Sequence, residues 1–214
     1  MGTIKGFPSL WTVTVRAMRA PYLESRHPIM KTLGLITMIA GFTAVMAVAA
    51  PGGGLKKGES VTPFHPKHLA GPLAGSTDCF PCTFQNRPQV QVWVNGDSLT
   101  NVAGIAGTVS SAMKTYKAKE FKGLVVFLTT PKNAKAIEAA VAEAAKKPEL
   151  AGVGMAVLDA KDDAVSAYKV NTAASTKNVV YVYKNWKVAE TFVNLSGDAA
   201  GQKTLAGAIT SVAK

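Results

Sequence analysis

The chain has 214 residues, with 24 Lys and Arg against 13 Asp and Glu, a formal net charge of +11. That length suits one domain with a tail, and a hydrophobic fraction of 48% is ample for a core. The basic excess does not read as a nucleic-acid surface, because Arg87 is the only arginine beyond residue 50 and the lysines are scattered.

Residues 1–49 hold five of the basic residues and one acid, which leaves 19 basic and 12 acidic residues, a net of +7, for the rest. Residues 33–50 carry no charge and follow Lys31. Ala47-Val48-Ala49 has the small-x-small pattern of a signal-peptidase site. Met30 to Ala49 is a complete signal peptide by itself, so residues 1–29 read as a non-native or disordered extension and 30–49 as the signal. The competing reading is an uncleaved anchor, since eighteen apolar residues just span a bilayer. A membrane is a partner only in that case. Both readings place the remainder outside the cytoplasm, in the periplasm or secreted from a bacterium. Residues 50–56, with Pro51-Gly52-Gly53-Gly54, read as a linker, and 57–214 as the working domain.

Cys79-Phe80-Pro81-Cys82 contains the chain's two cysteines. Three readings fit this spacing. A redox dithiol needs two thiols close enough to close a bridge during exchange. A structural disulfide closing so short a loop removes little chain entropy. A metal site has support from His65 and His68, which with Cys79 and Cys82 give H-x2-H-x10-C-x2-C, a donor set suited to tetrahedral zinc or to copper. Alone, each histidine reads as a loop residue beside Pro66. A c-type haem is excluded because Thr83 follows Cys82.

From Val90 onward strand and helix patterns alternate. Val90–Val94 reads as a short strand. Asp97 or Ser98 caps a helix running to about Tyr116, with apolar Leu99, Val102, Ile105, Val109 and Met113 on one face. Leu124–Leu128 and Val153–Leu158 are apolar runs of the kind buried on both faces of a sheet. Between them, 131–147 is an alanine-rich helix. Asp162–Tyr168 makes a short helix, with Asp159, Asp162 and Asp163 as capping rather than catalytic acids. Residues 179–183 and 188–193 flank a hairpin turn at Lys184–Lys187, and 198–213 is the last helix. This order predicts an α/β fold, a mixed sheet with helices on both faces. Gly104 and Gly107 inside the first long helix suggest close packing. The run Lys114, Lys117, Lys119 and Lys122 reads as a solvated face at a helix end.

This order resembles the thioredoxin-like fold over roughly residues 55–214. Lys57-Gly58-Glu59-Ser60-Val61-Thr62-Pro63-Phe64 looks like the opening of peroxiredoxin and periplasmic thioredoxin-like domains. Tyr168-Lys169-Val170 and the hairpin Val182-Tyr183-Lys184-Asn185-Trp186-Lys187-Val188 look like the family's closing elements. The stretch from Phe64-His65-Pro66 through Gly71-Pro72 to the cysteines resembles a group of exported bacterial proteins of this kind. The resemblance implies a three-layer fold and thiol–disulfide exchange with protein thiols or disulfides, with Cys79 and Cys82 as the catalytic pair and no cofactor. The alternative is a non-catalytic binding or metal-handling module with a structural bridge.

Two departures stand out. The family's cysteines follow the first core strand and open its helix, whereas here Asn95-Gly96-Asp97-Ser98 fills that place and the cysteines precede the strand. Ser175-Thr176-Lys177-Asn178 stands where the family has a cis-proline. Pro88 bars a long helix after Cys82, so the pair is expected on a loop without a helix behind it. The signal reading predicts an exported protein beginning at or near Ala50. Intact-mass measurement checks this, and a mass that retains residues 30–49 overturns it.

Overall fold

The computed structural model describes residues 53–214. The expected extension, the signal segment and the start of the linker lie outside the described residues. Along the chain come β1 (Lys67–Ala70), α1 (Phe80–Phe84), β2 (Gln89–Val94), α2 (Leu99–Thr115), β3 (Lys122–Thr129), α3 (Ala134–Ala144), β4 (Gly154–Asp159), α4 (Asp163–Ala167), β5 (Asn178–Lys184), β6 (Lys187–Val193) and α5 (Ala199–Ala213). The strands form one sheet in the order β1-β4-β3-β2-β5-β6. Strands β2, β3 and β4 run parallel; β1, β5 and β6 pair antiparallel to their neighbours. The sheet is mixed, as the alternating pattern implies.

Period-two alternation sorts the strand residues onto two cores. Val90, Val92, Val94, Val125, Phe127, Met155 and Val157 face one side, under α2, α3 and α5. Trp93, Leu124, Val126, Leu128, Ala156 and Leu158 face the other, under α1, α4 and the segment around Leu55, Val61 and Phe64. Helices therefore cover both faces.

The helix starts follow ordinary capping chemistry. Ser98 Oγ accepts the Asn101 amide at 3.1 Å at the head of α2. Asp162 and Asp198 do the same for α4 and α5, through the amides of Ala164 and Gly201. Lys114 lies in the last turn of α2. The β5–β6 hairpin turns on Asn185 and Trp186, at φ 52° and 64°, the left-handed pair a tight two-residue turn needs.

Three findings go beyond the sequence reading. β1 is a four-residue edge strand with no alternating signal of its own, held by pairing with β4. A short helix, α1, forms where only a loop was expected. The end of the expected linker is packed rather than free, because Leu55 is 4% exposed and the Gly54 amide donates to the Lys169 carbonyl at 2.7 Å.

The two helix glycines separate. A side chain on Gly104 would collide with the backbone of Gly197, which enters the turn before α5. Nothing approaches Gly107. Gly104→Ala is therefore expected to destabilise the domain by about 1–3 kcal/mol through overpacking. Gly107→Ala should stabilise it by up to about 1 kcal/mol through helix propensity. Urea unfolding of the two variants checks the opposed signs.

Candidate functional site

Cys79 and Cys82 are disulfide-bonded, with Cα atoms 5.2 Å apart, and no free cysteine remains among the described residues. Cys79 is the N-cap of α1, with extended backbone, and its Sγ accepts the Cys82 amide at 3.2 Å. The Thr83 amide and hydroxyl both donate to the Cys79 carbonyl at 3.0 Å. Pro81 sits in the first turn, where it needs no amide partner and its fixed φ suits a helix. The helix stops at Gln85, at φ 46°, whose amide returns to the Pro81 carbonyl at 2.7 Å. The expectation of a pair without a helix is thus corrected: one short helical turn begins at Cys79. Pro88 and the Gln85 reversal keep it at five residues. The two cysteines are unequal in exposure. Cys79 is 6% exposed, while Cys82 is partly exposed.

Phe80, between the cysteines, is wholly buried. Its ring meets Phe84 edge-on at 4.7 Å and lies over the starts of β3 and β4, where Gly154 leaves room for it. On its other side the His68 ring stacks at 6.3 Å.

The two histidines come to the strap that precedes Cys79. His65 Nδ1 is 3.0 Å from the Thr77 carbonyl and His68 Nε2 is 2.9 Å from the Asp78 carbonyl. A carbonyl oxygen only accepts, so each of these nitrogens carries the proton and donates. His65 is exposed and His68 is 2% exposed. The remaining nitrogen of His68, Nδ1, is buried with no hydrogen-bond partner. Among the described residues no three His, Cys, Asp or Glu side chains gather as a metal centre would need.

The head of α2, where the sequence has Asn95-Gly96-Asp97-Ser98, carries a polar knot. At the head of α2, Asp97 Oδ2 accepts from Asn101 and Asn178 side chains at 2.7 and 2.6 Å. Asn101 and Asn178 also donate to the Leu195 carbonyl, each at 3.0 Å. Asn178 Oδ1 accepts the Leu195 amide and Asn101 Oδ1 the Gly197 amide. Asn95 ties in the loop before β5 through the carbonyls of Ala173 and Thr176. This knot joins three loops with its polar groups paired. Of the two expected caps, Asp97 or Ser98, Ser98 takes the cap and Asp97 joins the knot with Asn101 and Asn178, whose roles the spacing does not show; the recurrence of asparagine at 95, 101, 178 and 194 is the available signal. Lys122 Nζ lies 5.3 Å from the Phe84 ring centre, so one residue of the lysine run also touches the turn that carries the cysteines.

Burial pushes the His68 pKa below its ordinary value, and the Asp78 carbonyl and carboxylate only partly oppose this. The unfolded chain therefore binds a proton at His68 more readily than the folded one. This contribution to stability is present above the unfolded value near 6.5 and is lost as pH falls below it. Wild-type stability is expected to drop between about pH 7 and pH 5, with a smaller drop in His68→Gln. Denaturant titrations at both pH values check it.

No protein-family profile matches the sequence, and no curated protein matches it. Solved structures do. A provisionally assigned thiol:disulfide interchange protein DsbE from Chlorobium tepidum superposes with a TM-score of 0.55 at 17% identity, over 75% of this chain and 99% of that one. The thioredoxin domain of a thiol-disulfide oxidoreductase from Bacteroides vulgatus gives 0.53 at 10% identity, over 75% and 99%. Peroxidoxin BcpB from Mycobacterium tuberculosis gives 0.52 at 15% identity, again over 75% and 99%. These likenesses, with the parallel β2-β3-β4 core, the antiparallel β5–β6 hairpin and helices on both faces, show that the described domain has the thioredoxin-like fold.

Proposed function

We propose that this protein is an exported thiol–disulfide oxidoreductase that works through Cys79 and Cys82 on protein thiols and disulfides. The carrying observation is the asymmetry of the bridge: a partly exposed Cys82 is tied to a buried Cys79 across one helical turn. Exchange needs one sulfur open to attack and a second held nearby to leave and return. A partner thiolate attacks Cys82 Sγ. The Cys79–Cys82 bond breaks, its electron pair stays on Cys79 Sγ, and a mixed disulfide joins Cys82 to the partner. The Cys82 amide, which already points at Cys79 Sγ, stabilises that leaving thiolate. A second partner thiolate then attacks the partner's own sulfur in the mixed disulfide and releases Cys82. The net change is one bridge and two partner thiols converted into a dithiol and one partner disulfide. The reverse sequence reduces a partner disulfide. The solved structures of similar fold include thiol-disulfide oxidoreductases, which supports the reading without assigning the residues.

A second reading is a non-catalytic thioredoxin-like module with a structural bridge, or with zinc or copper on the reduced cysteines and His65 and His68. The polar knot at the head of α2, in the family's usual redox position, favours it.

Cysteine variants separate these readings. Cys79→Ser removes the returning thiol and is expected to accumulate a mixed disulfide on Cys82 when its thiolate attacks a disulfide-bonded protein substrate, whose other sulfur leaves as the thiolate. Cys82→Ser, which leaves only the buried sulfur, should trap at least about tenfold less. Equal trapping, or none, opposes the exchange reading. The double Ser variant should lose no more than about 2 kcal/mol of stability, the chain-entropy value for a four-residue loop. Stoichiometric zinc or copper on the reduced wild type, lost in His68→Gln, would favour the metal form.

A further inference from the structure

We infer that His65 and His68 form a clasp that sets the redox balance of the cysteine pair, with His68 as its principal positioning residue. The inference rests on the exchange reading above and deepens it. The two rings hold successive carbonyls, Thr77 and Asp78, immediately ahead of Cys79, at 3.0 and 2.9 Å. The same strap is anchored at its other end through β1. The His68 amide donates to the Ser76 carbonyl at 2.9 Å, and the His68 carbonyl accepts from Gly75 at 3.0 Å. His68 therefore grips residues 75–78 by its amide, its carbonyl and its ring. Its pairing with Ala156 fixes it to β4, and its ring stacks on Phe80, the residue that follows Cys79. One side chain thus fixes the chain on both sides of Cys79.

The histidine carries a cost that a packing residue would not. Its Nδ1 is buried and unpaired, and an unsatisfied buried acceptor is destabilising. A leucine of similar size would avoid that cost. What leucine lacks is the Nε2 proton donor to the Asp78 carbonyl. Holding that carbonyl orients the Asp78–Cys79 peptide and hence Cys79 Sγ, which raises the effective concentration of the two thiols toward each other and favours the closed bridge.

The test is the equilibrium between bridge and dithiol in a glutathione or dithiothreitol redox series, read by thiol alkylation and intact mass on the purified protein. His68→Leu removes the donor, whereas His68→Gln retains an amide donor and removes the ring. His68→Leu is expected to shift the equilibrium toward the dithiol by at least about tenfold, about 30 mV for this two-electron couple. His68→Gln should stay within about threefold of wild type, and His65→Leu should shift by a few fold in the same direction as His68→Leu. Equal shifts in the Leu and Gln variants at position 68, or no shift in a folded His68→Leu, overturn the clasp. If His68→Leu does not fold, the Gln variant decides: near-wild-type balance together with a shifted His65→Leu supports the clasp, and any other outcome overturns it. A wild-type bridge that stays closed at every poise defeats the exchange reading itself. A wild type that cycles normally with unshifted variants defeats only the clasp.

Discussion

Phe80 occupies a fully closed site between the two cysteines, bounded by Phe84, His68 and the floor that Leu124 and Gly154 form at the start of β3 and β4. A side-chain carbon on Gly154 would come within 3.2 Å of this ring and 3.1 Å of Leu124, so the glycine and the phenylalanine fit as one unit. Burying an aromatic ring of this size is worth roughly 2–3 kcal/mol, comparable to the roughly 2 kcal/mol of chain entropy that closing a four-residue loop removes. Hydrophobic packing of Phe80 therefore holds the turn that carries the cysteine pair independently of the bond between them. That separation matters for chemistry. A bridge whose location does not depend on its own bond can open and close without the site dispersing.

The same packing determines which end of the sheet carries the pair. Strands β2, β3 and β4 are parallel, so their beginnings lie together at one end, and α1 covers that end. The head of α2 follows the finish of β2 at the opposite end. A six-residue strand spans roughly 20 Å, which sets the scale of the separation between the cysteine pair and the head of α2. The head of α2 holds the knot of Asp97, Asn101 and Asn178, whose polar groups are satisfied by one another and by the 195–197 backbone. A satisfied buried network rigidifies the loops it joins. Beside the sheet's hidden face, a second polar chain runs from Trp93 through Gln91, Tyr183 and Gln89 to the carbonyl of Gln85, at the end of α1. It links the central strands to the turn that carries the cysteines.

Most of the architecture was legible in the residues. Leu124–Leu128 and Val153–Leu158 are too uniformly apolar for anything but a sheet covered on both sides, and the spacing of Val102, Ile105 and Val109 identifies one helical face. The hairpin and the capping role of Asp162 could also be read directly. What escaped the reading depends on tertiary contact. β1 exists because β4 offers an open edge, not because its four residues have strand character. α1 is too short for periodicity to show. The role of His68 turns on which carbonyl lies beside its ring, which the spacing H-x2-H-x10-C-x2-C does not show. Gly107 looked like Gly104 in sequence but has no neighbour in space.

The central claim is that the Cys79–Cys82 bridge is reversible within the folded domain and is not a staple. Its reduction potential tests this most directly, measured in a redox buffer while circular dichroism reports that the fold persists. The account predicts a midpoint between about −120 and −270 mV, the range of exchange-active dithiols, with secondary structure unchanged between the two states. A midpoint below about −300 mV, or unfolding that accompanies reduction, would contradict it.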